Sequence, residues 1–357
     1  MITDFIETLY KKDSKGKLRM LSIETSHGQL LRTSGLMDGE KVEHSKMCKP
    51  KNVGRANETT AQQQAVAEAK ALIKKKLREG YFHTDTEAMQ TEVLLPMLAK
   101  SFEKESHKVK YPCYVQPKLD GMRCLKIGQS MKSRKNVEID TMGHIAIQPT
   151  GMGVLDGELY AHGLSFQENM RLIKKFRKES TTVKFHVYDF VSDLPFPQRL
   201  ELLKDAVSKA VDCIELVPTY LISDEIQLKE YHQRFIGEGY EGTMVRWGED
   251  GYKINGRSSN LLKYKDFIDI TLPIKDVVPD DVNSEHGSFV FDWEGAKGHR
   301  LGDDILGCGM KFSHAERAEI LIDKVKYRGR TAELRFFEYS DTGVPRFPVC
   351  HGIRLDK

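Results

Sequence analysis

The sequence lacks several patterns that would assign a function at once. Its six cysteines are scattered, and none forms a CxxC pair or a Cys/His cluster with zinc spacing. No apolar run approaches the roughly 20 residues of a membrane-spanning helix, and the first residues lack the charged start and apolar stretch of a secretory signal. The Gly-x4-Gly-Lys-Ser/Thr pattern of a P-loop ATPase is also absent. We therefore predict reduced thiols, a cytoplasmic protein and no membrane partner.

Charge and size leave the class of protein open. The 357 residues are 39% hydrophobic and 30% charged, which is ordinary for a globular protein, and they suffice for two or three domains. A net charge of +3 is too small to indicate nucleic-acid binding by itself. Short basic runs at 74–76, 132–135 and 174–178 are more often solvated surfaces than binding sites.

The pattern of apolar residues divides the chain into three segments and predicts an α+β fold. Residues 1–85 contain glycine-punctuated strands and a helix from about Thr60 to Gly80, in which Ala65, Ala69 and Ile73 recur at helical spacing. Residues 86–267 alternate strands and helices. Residues 268–357 contain short strands and one helix at 314–322, which fits a small Greek-key β-barrel of the OB type. The predicted strands of the middle segment are 112–116, 122–127, 153–159, 183–190, 214–217 and 242–247, and its predicted helices are 165–178, 197–210 and 224–238.

The most informative stretch begins at Lys118, which ends an apolar run and precedes Asp120-Gly121. A lysine at the end of a strand, beside a tight turn, can be held fixed and partly desolvated. Its amine is a nucleophile only when neutral, and desolvation or neighbouring cations such as Arg123 lower its pKa from about 10.4. Taken alone, the motif is more typical of a surface lysine beside a hairpin turn.

Two carboxylates follow at points where strands should begin or end. Glu158 lies beside Gly157, and Glu241 lies beside Gly242. A neighbouring glycine leaves room for a ligand to approach closely, and a pair of carboxylates suits Mg²⁺. These dipeptides are also common hairpin signals.

Cations and an aromatic residue complete the pattern. Lys263 and Lys265 alternate on a predicted strand, so we expect both amines on one face, where an anion such as a triphosphate would separate them. A lysine-protected edge strand has the same pattern. Arg134 is a further candidate for phosphate or ribose. Tyr188 could stack on a purine, although such an aromatic more often lies in the core.

In this order, the motifs resemble those of the ATP-dependent DNA ligases, a family within the covalent nucleotidyltransferases. The resemblance covers roughly residues 95–357 and implies an ATP-grasp-like adenylation domain at 86–267 followed by an OB-fold domain at 268–357. The motifs are Lys118-x-Asp120-Gly121-x-Arg123, Ser133-Arg134, Asp156-Gly157-Glu158-Leu159, Tyr188-Asp189, Glu241-Gly242-x-Met244-Val245-Arg246, Leu262-Lys263-Tyr264-Lys265, and Arg346-Phe347-Pro348 through Lys357.

The resemblance implies a role for each matched residue. Lys118 would carry a covalent AMP within the nucleotide motif that also contains Asp120 and Gly121, and Gln116 would contact the adenine edge. Glu158 would bind ribose or metal, and Glu241 would hold Mg²⁺, with Mn²⁺ as a substitute. Tyr188 would stack on adenine. The residues expected to contact phosphate or ribose are Arg123, Arg134, Arg246, Arg257, Lys263 and Lys265. In the terminal motif Arg354 and Lys357 match, whereas two positions that are basic in some cellular ligases are Val349 and Gly352.

The implied reaction joins DNA strands at the expense of ATP. The expected partner is nicked duplex DNA, and we expect a monomer in the cytoplasm or nucleoid of a viral or bacterial system. Two enzymes of related chemistry stay open, an mRNA capping guanylyltransferase and an RNA ligase. A nucleic-acid-binding protein with a decayed nucleotide site is the non-enzymatic alternative.

The N-terminal segment faintly resembles WGR-type DNA-binding modules, although the Trp-Gly-Arg signature is missing. We expect residues 1–85 to form an accessory contact to duplex DNA, on the strength of Lys49, Lys51, Arg55 and the run 74–76. A structural or partner-binding appendage is the alternative.

Overall fold

The protein was analysed as a computed structural model that describes residues 5–13, 16–90, 94–149, 153–208, 212–281 and 283–354. The chain forms two compact units, Met1–Lys263 and Tyr264–Lys357. Among the described residues, no helix combines the length and the hydropathy that a bilayer crossing requires.

The first unit begins with an antiparallel sheet covered by a long helix. The sheet pairs its strands in chain order. Its elements are β1 (Phe5–Lys12), β2 (Leu18–Ser26), β3 (Gln29–Leu36), β4 (Lys41–Met47), α1 (Ala61–Arg78) and α2 (Asp85–Gln90). One face of α1, with Ala65, Ala69 and Ile73, packs on Leu9 and Ile23 of the sheet. Thr60 and Gln63 cap the start of α1 reciprocally, and Gly80 follows its end with a φ of +82°. The predicted helix is therefore confirmed.

Two five-stranded sheets form the rest of this unit, in the orders β11-β10-β9-β7-β8 and β12-β6-β13-β14-β5. Their strands are β5 (Leu98–Ser101), β6 (Cys113–Lys118), β7 (Met122–Ile127), β8 (Ser130–Ser133), β9 (Val154–Tyr160), β10 (Lys184–Phe190), β11 (Ile214–Leu216), β12 (Tyr220–Ile222), β13 (Gly242–Arg246) and β14 (Arg257–Tyr264). Their helices are α3 (Phe102–Glu105), α4 (Gly143–Ala146), α5 (Phe166–Lys174), α6 (Phe196–Val207) and α7 (Glu225–Gly237).

Alternation along β9 and β10 places apolar and polar side chains on opposite faces. Leu155 and Leu159 of β9 pack with Phe185 and Val187 of β10 in the main hydrophobic core. Asp156 and Glu158 of β9 point to the other face, because successive side chains of a strand alternate. The core thus fixes the face from which the polar residues of the site project.

The buried side chain of Lys126, on β7, links this sheet by hydrogen bonds to the segment around Ala146. Lys126 is fully buried, and its amine donates to three backbone carbonyls, those of Gly128, Ala146 and Gln148. Burial lowers the pKa of Lys126. Because three acceptors satisfy its three N–H groups, the ammonium remains compatible with the interior.

The second unit has short strands in two sheets, ordered β15-β20-β21-β19 and β16-β17-β18. Its elements are β15 (Ile268–Pro273), β16 (Asp276–Pro279), β17 (Gly287–Asp292), β18 (Ile305–Gly307), β19 (Gly309–Met310), α8 (His314–Ile322), α9 (Lys324–Tyr327), β20 (Thr331–Phe336) and β21 (Val349–Arg354). Val277, Phe289, Phe291 and Leu334 share its core. Within the residues that the structure describes, these strands form two separate sheets and do not close into a barrel.

Three local predictions need correction. The helix predicted at 165–178 ends at Lys174, because Lys175 has extended backbone angles. The strand predicted through Lys265 ends at Tyr264, so Lys263 and Lys265 do not both alternate on β14. In the last segment the apolar pattern predicts continuous strands at 270–277 and 306–312, but both are interrupted, the first at Ile274-Lys275 and the second at Cys308.

Candidate active site

Lys118 is the last residue of β6 and lies beside Glu241, which precedes β13. Gly242 pairs with Lys118 in the antiparallel register, and the Glu241 backbone N–H donates to the Lys118 carbonyl at 2.9 Å. The Lys118 amine also contacts the Glu241 carboxylate. Glu241 is 5% exposed and Lys118 is 21% exposed at the side chain, so this ion pair is largely withdrawn from water.

The surroundings of Lys118 lower its pKa. Burial is the main cause, and the cations of Arg123 and Arg134 act in the same direction. The carboxylates of Glu158 and Asp120 oppose the shift, and the Glu241 carboxylate in contact with the amine also favours its charged form. A lysine with a lowered pKa has a larger neutral fraction near neutral pH, which is the form that attacks an electrophile.

Glu158 lies on β9, opposite Arg123 of β7. Burial raises its pKa to about 7, against the opposing influence of Lys118 and Arg123. The Tyr188 hydroxyl donates to the Gly157 carbonyl at 3.2 Å and lies 3.4 Å from a Glu158 carboxylate oxygen. A Cβ on Gly121 would collide with the Leu159 backbone, so the turn after Lys118 packs against β9 only with glycine there.

Arg123 is engaged by a buried carboxylate. Its Nε donates to Asp156 at 2.9 Å, and the Tyr252 hydroxyl donates to the same carboxylate at 2.7 Å. Asp156 is fully buried. The guanidinium also lies 5.6 Å from the centre of the Tyr188 ring. Contact between Arg123 and a phosphate stays a prediction.

Arg246 is part of a second buried network. Its guanidinium contacts Asp189, whose carboxylate also accepts from Arg199 Nε at 2.8 Å. Arg246 Nε donates to the Gln116 side-chain oxygen at 2.8 Å. The Gln116 amide nitrogen donates to Thr219 Oγ1 at 2.9 Å. Gln116 and Arg246 are 1% and 3% exposed, so their predicted contacts with adenine and phosphate stay predictions.

The cations predicted along the chain are partly brought together. Burial lowers the pKa of Lys263, and Lys118, Arg257 and Arg134 add to the shift in that order. Arg257 also donates to the Ala99 carbonyl at 2.9 Å. A bound anion would relieve the repulsion among the four cations Lys118, Arg134, Arg257 and Lys263. Lys265 belongs to the second unit, where its amine lies 4.1 Å from the centre of the Phe337 ring.

The terminal motif is described only in part. Arg354 Nε donates to Glu333 at 3.0 Å, and Arg346 pairs with Glu338. Val349 and Gly352 lie on β21. Lys357 lies outside the described residues. The role of each tail residue toward pyrophosphate stays a prediction.

The chemistry of the carboxylates fits a divalent cation. Glu241 touches the Lys118 amine, and burial raises the pKa of Glu158, so a cation beside either carboxylate would favour its charged form. In the described part of the chain, no three His, Cys, Asp or Glu residues form a ready-made metal cage. Mg²⁺ commonly uses one or two carboxylates together with substrate phosphates and water, so Glu158 and Glu241 would suffice on the protein side.

The buried residues that hold the site in place were not predicted from the sequence. Asp156 and Asp189 lie within the motifs, but no role was predicted for them, and Arg199, Thr219 and Tyr252 were not identified as candidates. A signal existed for the aspartates, since a carboxylate within an apolar strand pattern needs a cation or donors when buried. Arg199, Thr219 and Tyr252 carry no such local signal because their partners are distant in sequence.

A lysine with a lowered pKa, two carboxylates and a group of cations lie on the α+β framework of the first unit. Residues 96–265 match the family model described as the ATP dependent DNA ligase domain. The resemblance predicted from the motifs is therefore confirmed for this part of the chain.

Curated relatives and solved structures agree with the family model. The chain is 24% identical to the DNA ligase of Enterobacteria phage T6 over 311 aligned residues, covering 66% of this chain and 62% of that protein. It is 27% identical to the DNA ligase of an African swine fever virus isolate (Warthog/Namibia/Wart80/1980) over 267 residues, covering 68% and 62%. The chain thus spans about three fifths of the length of these relatives.

A solved structure shows the same fold. The match is to a structure described under "DNA binding with a minimal scaffold: Structure-function analysis of Lig E DNA ligases", with a TM-score of 0.61 and 24% identity. It covers 74% of this chain and all of that one.

Proposed function

We propose that the chain is an ATP-dependent DNA ligase that seals 5′-phosphate/3′-hydroxyl nicks in duplex DNA. The observation that carries the proposal is the Lys118 amine, which contacts Glu241 and whose pKa is lowered by burial and by nearby cations. The ligase domain match and the named relatives support the same reaction.

The proposed reaction has three balanced steps. The neutral Lys118 amine forms a bond to the α-phosphorus of ATP as the bond to pyrophosphate breaks, and the amine loses a proton. A 5′-phosphate oxygen at the nick then displaces Lys118 and takes the adenylyl group. Finally, the 3′-hydroxyl attacks the 5′-phosphorus, releases AMP and seals the strand.

The residues of the first unit would act mainly through charge and position. Lys263, Arg257 and Arg134 would share the growing charge of the triphosphate, and Glu158 and Glu241 would hold a divalent cation. That cation, Mg²⁺ with Mn²⁺ as a substitute, would supply charge neutralisation at the phosphates. Tyr188 would pack against adenine, and Gln116 would contact the adenine edge.

We also propose domain limits and a finer fold. Residues 86–267 would form the adenylation domain and residues 268–357 an OB-type barrel. Two pairs of strands, β15 with β16 and β18 with β19, are separated by only two residues and one residue. If each pair is one bent strand, the observed pairings join the two sheets into a five-stranded ring. Residues 1–85 would be an accessory DNA-binding module of a monomeric, cytoplasmic enzyme.

The test is whether the protein forms a covalent adenylate on Lys118. The intact protein would be incubated with ATP and Mg²⁺ in the absence of DNA, and the peptide containing Lys118 would be examined by mass spectrometry for an added AMP. Lys118→Ala should lose the adduct, whereas a variant at an exposed lysine, Lys110→Ala, should keep it.

Three outcomes would contradict the proposal. No adduct with ATP and either metal would favour a binding protein with a decayed site. An adduct formed only from GTP would favour a capping guanylyltransferase. An adduct that is transferred to RNA ends and not to a DNA nick would favour an RNA ligase.

A further inference from the structure

The solvent side of α1 has an unusual charge distribution. Beyond its first turn, its exposed residues are either alanine or cationic. They are Ala67, Lys70, Ala71, Lys74, Lys75 and Arg78. This set is called the α1 cation face below, and it lies opposite the apolar stripe that packs on the N-terminal sheet.

The acids near this face are committed to other cations. Glu68 accepts from Lys46 at 2.8 Å, and Lys51 lies 3.7 Å from it. The hydrogen bond from Lys46 is the main reason that the pKa of Glu68 is lowered to about 2. Glu79 pairs with Lys76 at 2.9 Å. Lys51 and Lys76, two of the residues expected to contact DNA, therefore have intramolecular partners.

Lys70, Lys74 and Arg78 have no such partner in the described part of the chain, whereas Lys75 is attracted electrostatically to Glu79. Lys70, Lys74 and Arg78 follow one another at intervals of four residues, so they form a line of about 12 Å along the helix. Like charges at this spacing destabilise a helix. Lys75 and Arg78 lie in the last turn, where the helix dipole favours cations, but Lys70 and Lys74 lie outside it. Helix stability alone does not account for the line.

The small residues of the face allow close approach. Ala67 and Ala71 are exposed next to Lys70 and Lys74, so a ligand backbone can lie near the helix with lysines beside it. Neighbouring cations are about 6 Å apart along the axis, which suits a partner that carries one negative charge every few ångströms, as each DNA strand does. The loop before the helix adds the exposed Lys49 and Arg55.

We infer that the α1 cation face is a docking surface for the phosphodiester backbone of duplex DNA beside the nick. The inference rests on the proposed ligase function and assigns to this face the non-specific part of DNA affinity. Each phosphate contact releases counterions, so the surface should make binding dependent on salt without selecting sequence.

The experiment compares charge removal at this face with equal removal elsewhere. In the intact protein, one variant carries Lys70→Ala, Lys74→Ala and Arg78→Ala. The matched control carries Lys204→Ala, Lys229→Ala and Arg234→Ala, which removes three exposed helical cations that pair with glutamates. Affinity for a nicked duplex would be measured across a range of KCl concentrations, and helicity would be checked by circular dichroism.

The face variant should lose affinity by about ten-fold or more near physiological salt, and its log–log salt slope should become less negative by about two to three. The control should retain the wild-type slope. Lys70→Arg with Lys74→Arg should also retain it. Ala71→Glu, which keeps every cation but adds an acid among them, should weaken binding while leaving the helix intact.

Two results would overturn the inference. One is an unchanged salt slope in the face variant. The other is tighter, face-dependent binding of polyglutamate than of duplex DNA, which would identify an acidic protein partner. Adenylation of Lys118 by ATP in the absence of DNA distinguishes the two proposals. If the wild-type protein forms no adduct, the ligase function is refuted, but DNA binding at the α1 cation face is still tested by the salt dependence.

Discussion

Glu241 contacts both the backbone carbonyl and the side-chain amine of Lys118. Its backbone N–H donates to the Lys118 carbonyl at 2.9 Å, and its carboxylate contacts the Lys118 amine. The strand pairing therefore brings the two residues close enough for their side-chain charges to meet.

This relationship predicts strong energetic coupling between the two side chains. Lys118→Met should lower the free energy of unfolding by about 2–3 kcal/mol, because it removes the cation that a nearly buried carboxylate contacts. Adding Glu241→Gln should recover at least half of that loss. Chemical denaturation of the two single variants and the double variant would measure the coupling, and additive losses would contradict it.

Arg134 should influence the pH dependence of adenylation. It is one of the cations that lower the pKa of Lys118, so Arg134→Ala should raise that pKa and move the midpoint of the rate profile to higher pH. At neutral pH the rate constant should fall, because a smaller fraction of the amine is then neutral. The measurement is single-turnover adenylation at saturating ATP, which separates this effect from weaker ATP binding. Lys135→Ala should leave the midpoint unchanged.

Glu158 should make the protein less stable as pH rises from about 5 to 7. Burial raises its pKa to about 7 from an ordinary value of 4.5, so the folded state binds the proton more tightly than the unfolded state. The resulting stability is fully present below pH 4.5 and is lost as pH rises through 7.

The contribution of Glu158 can be isolated with a neutral variant. Glu158→Gln should reduce the fall in unfolding free energy over this range by about 1 kcal/mol or more. Urea titrations with a chelator present would measure it, since a bound cation would change the pKa. Glu201→Gln, at a glutamate that is 70% exposed, should retain the wild-type slope, and equal slopes in all three proteins would contradict the prediction.

Asp189 should be among the most sensitive positions in the first unit. It is fully buried and contacts both Arg199 and Arg246. Asp189→Asn leaves two guanidinium groups without their counter-charge and should cost about 3–5 kcal/mol. Thermal and urea unfolding would test this, with Asp193→Asn at an exposed aspartate as the control. A loss below 1 kcal/mol would show that the arginines find other acceptors.

Much of the fold could be predicted because local patterns and packing agree. The helix at 314–322 matches α8, since Ser313 and Glu316 provide a capping box and the next residues have helical spacing. Strands β7 and β13 also lie where apolar runs meet glycine turns. β4 could not be predicted, because its residues after Lys41 are exposed and only Val42 and Met47 are apolar, so no apolar alternation marks it.

The site was predictable to the extent that its residues lie within short motifs. Lys118, Glu158 and Glu241 were found in this way, and the structure places Lys118 in contact with Glu241. The sequence could not show that Gln116 and Arg246 bond to each other at 2.8 Å. Their separation of 130 residues is closed only by the pairing of β6 with β13.

The amine of Lys126, enclosed by three carbonyls, offers a built-in reporter for the central sheet. An amine-reactive reagent reaches the many exposed lysines of the native protein directly, but it can modify Lys126 only after β7 and the loop near Ala146 separate. The labelling rate of Lys126, measured by mass spectrometry of the peptide that contains it, would therefore report the rate at which the sheet carrying Glu158 opens. No probe needs to be introduced into the protein.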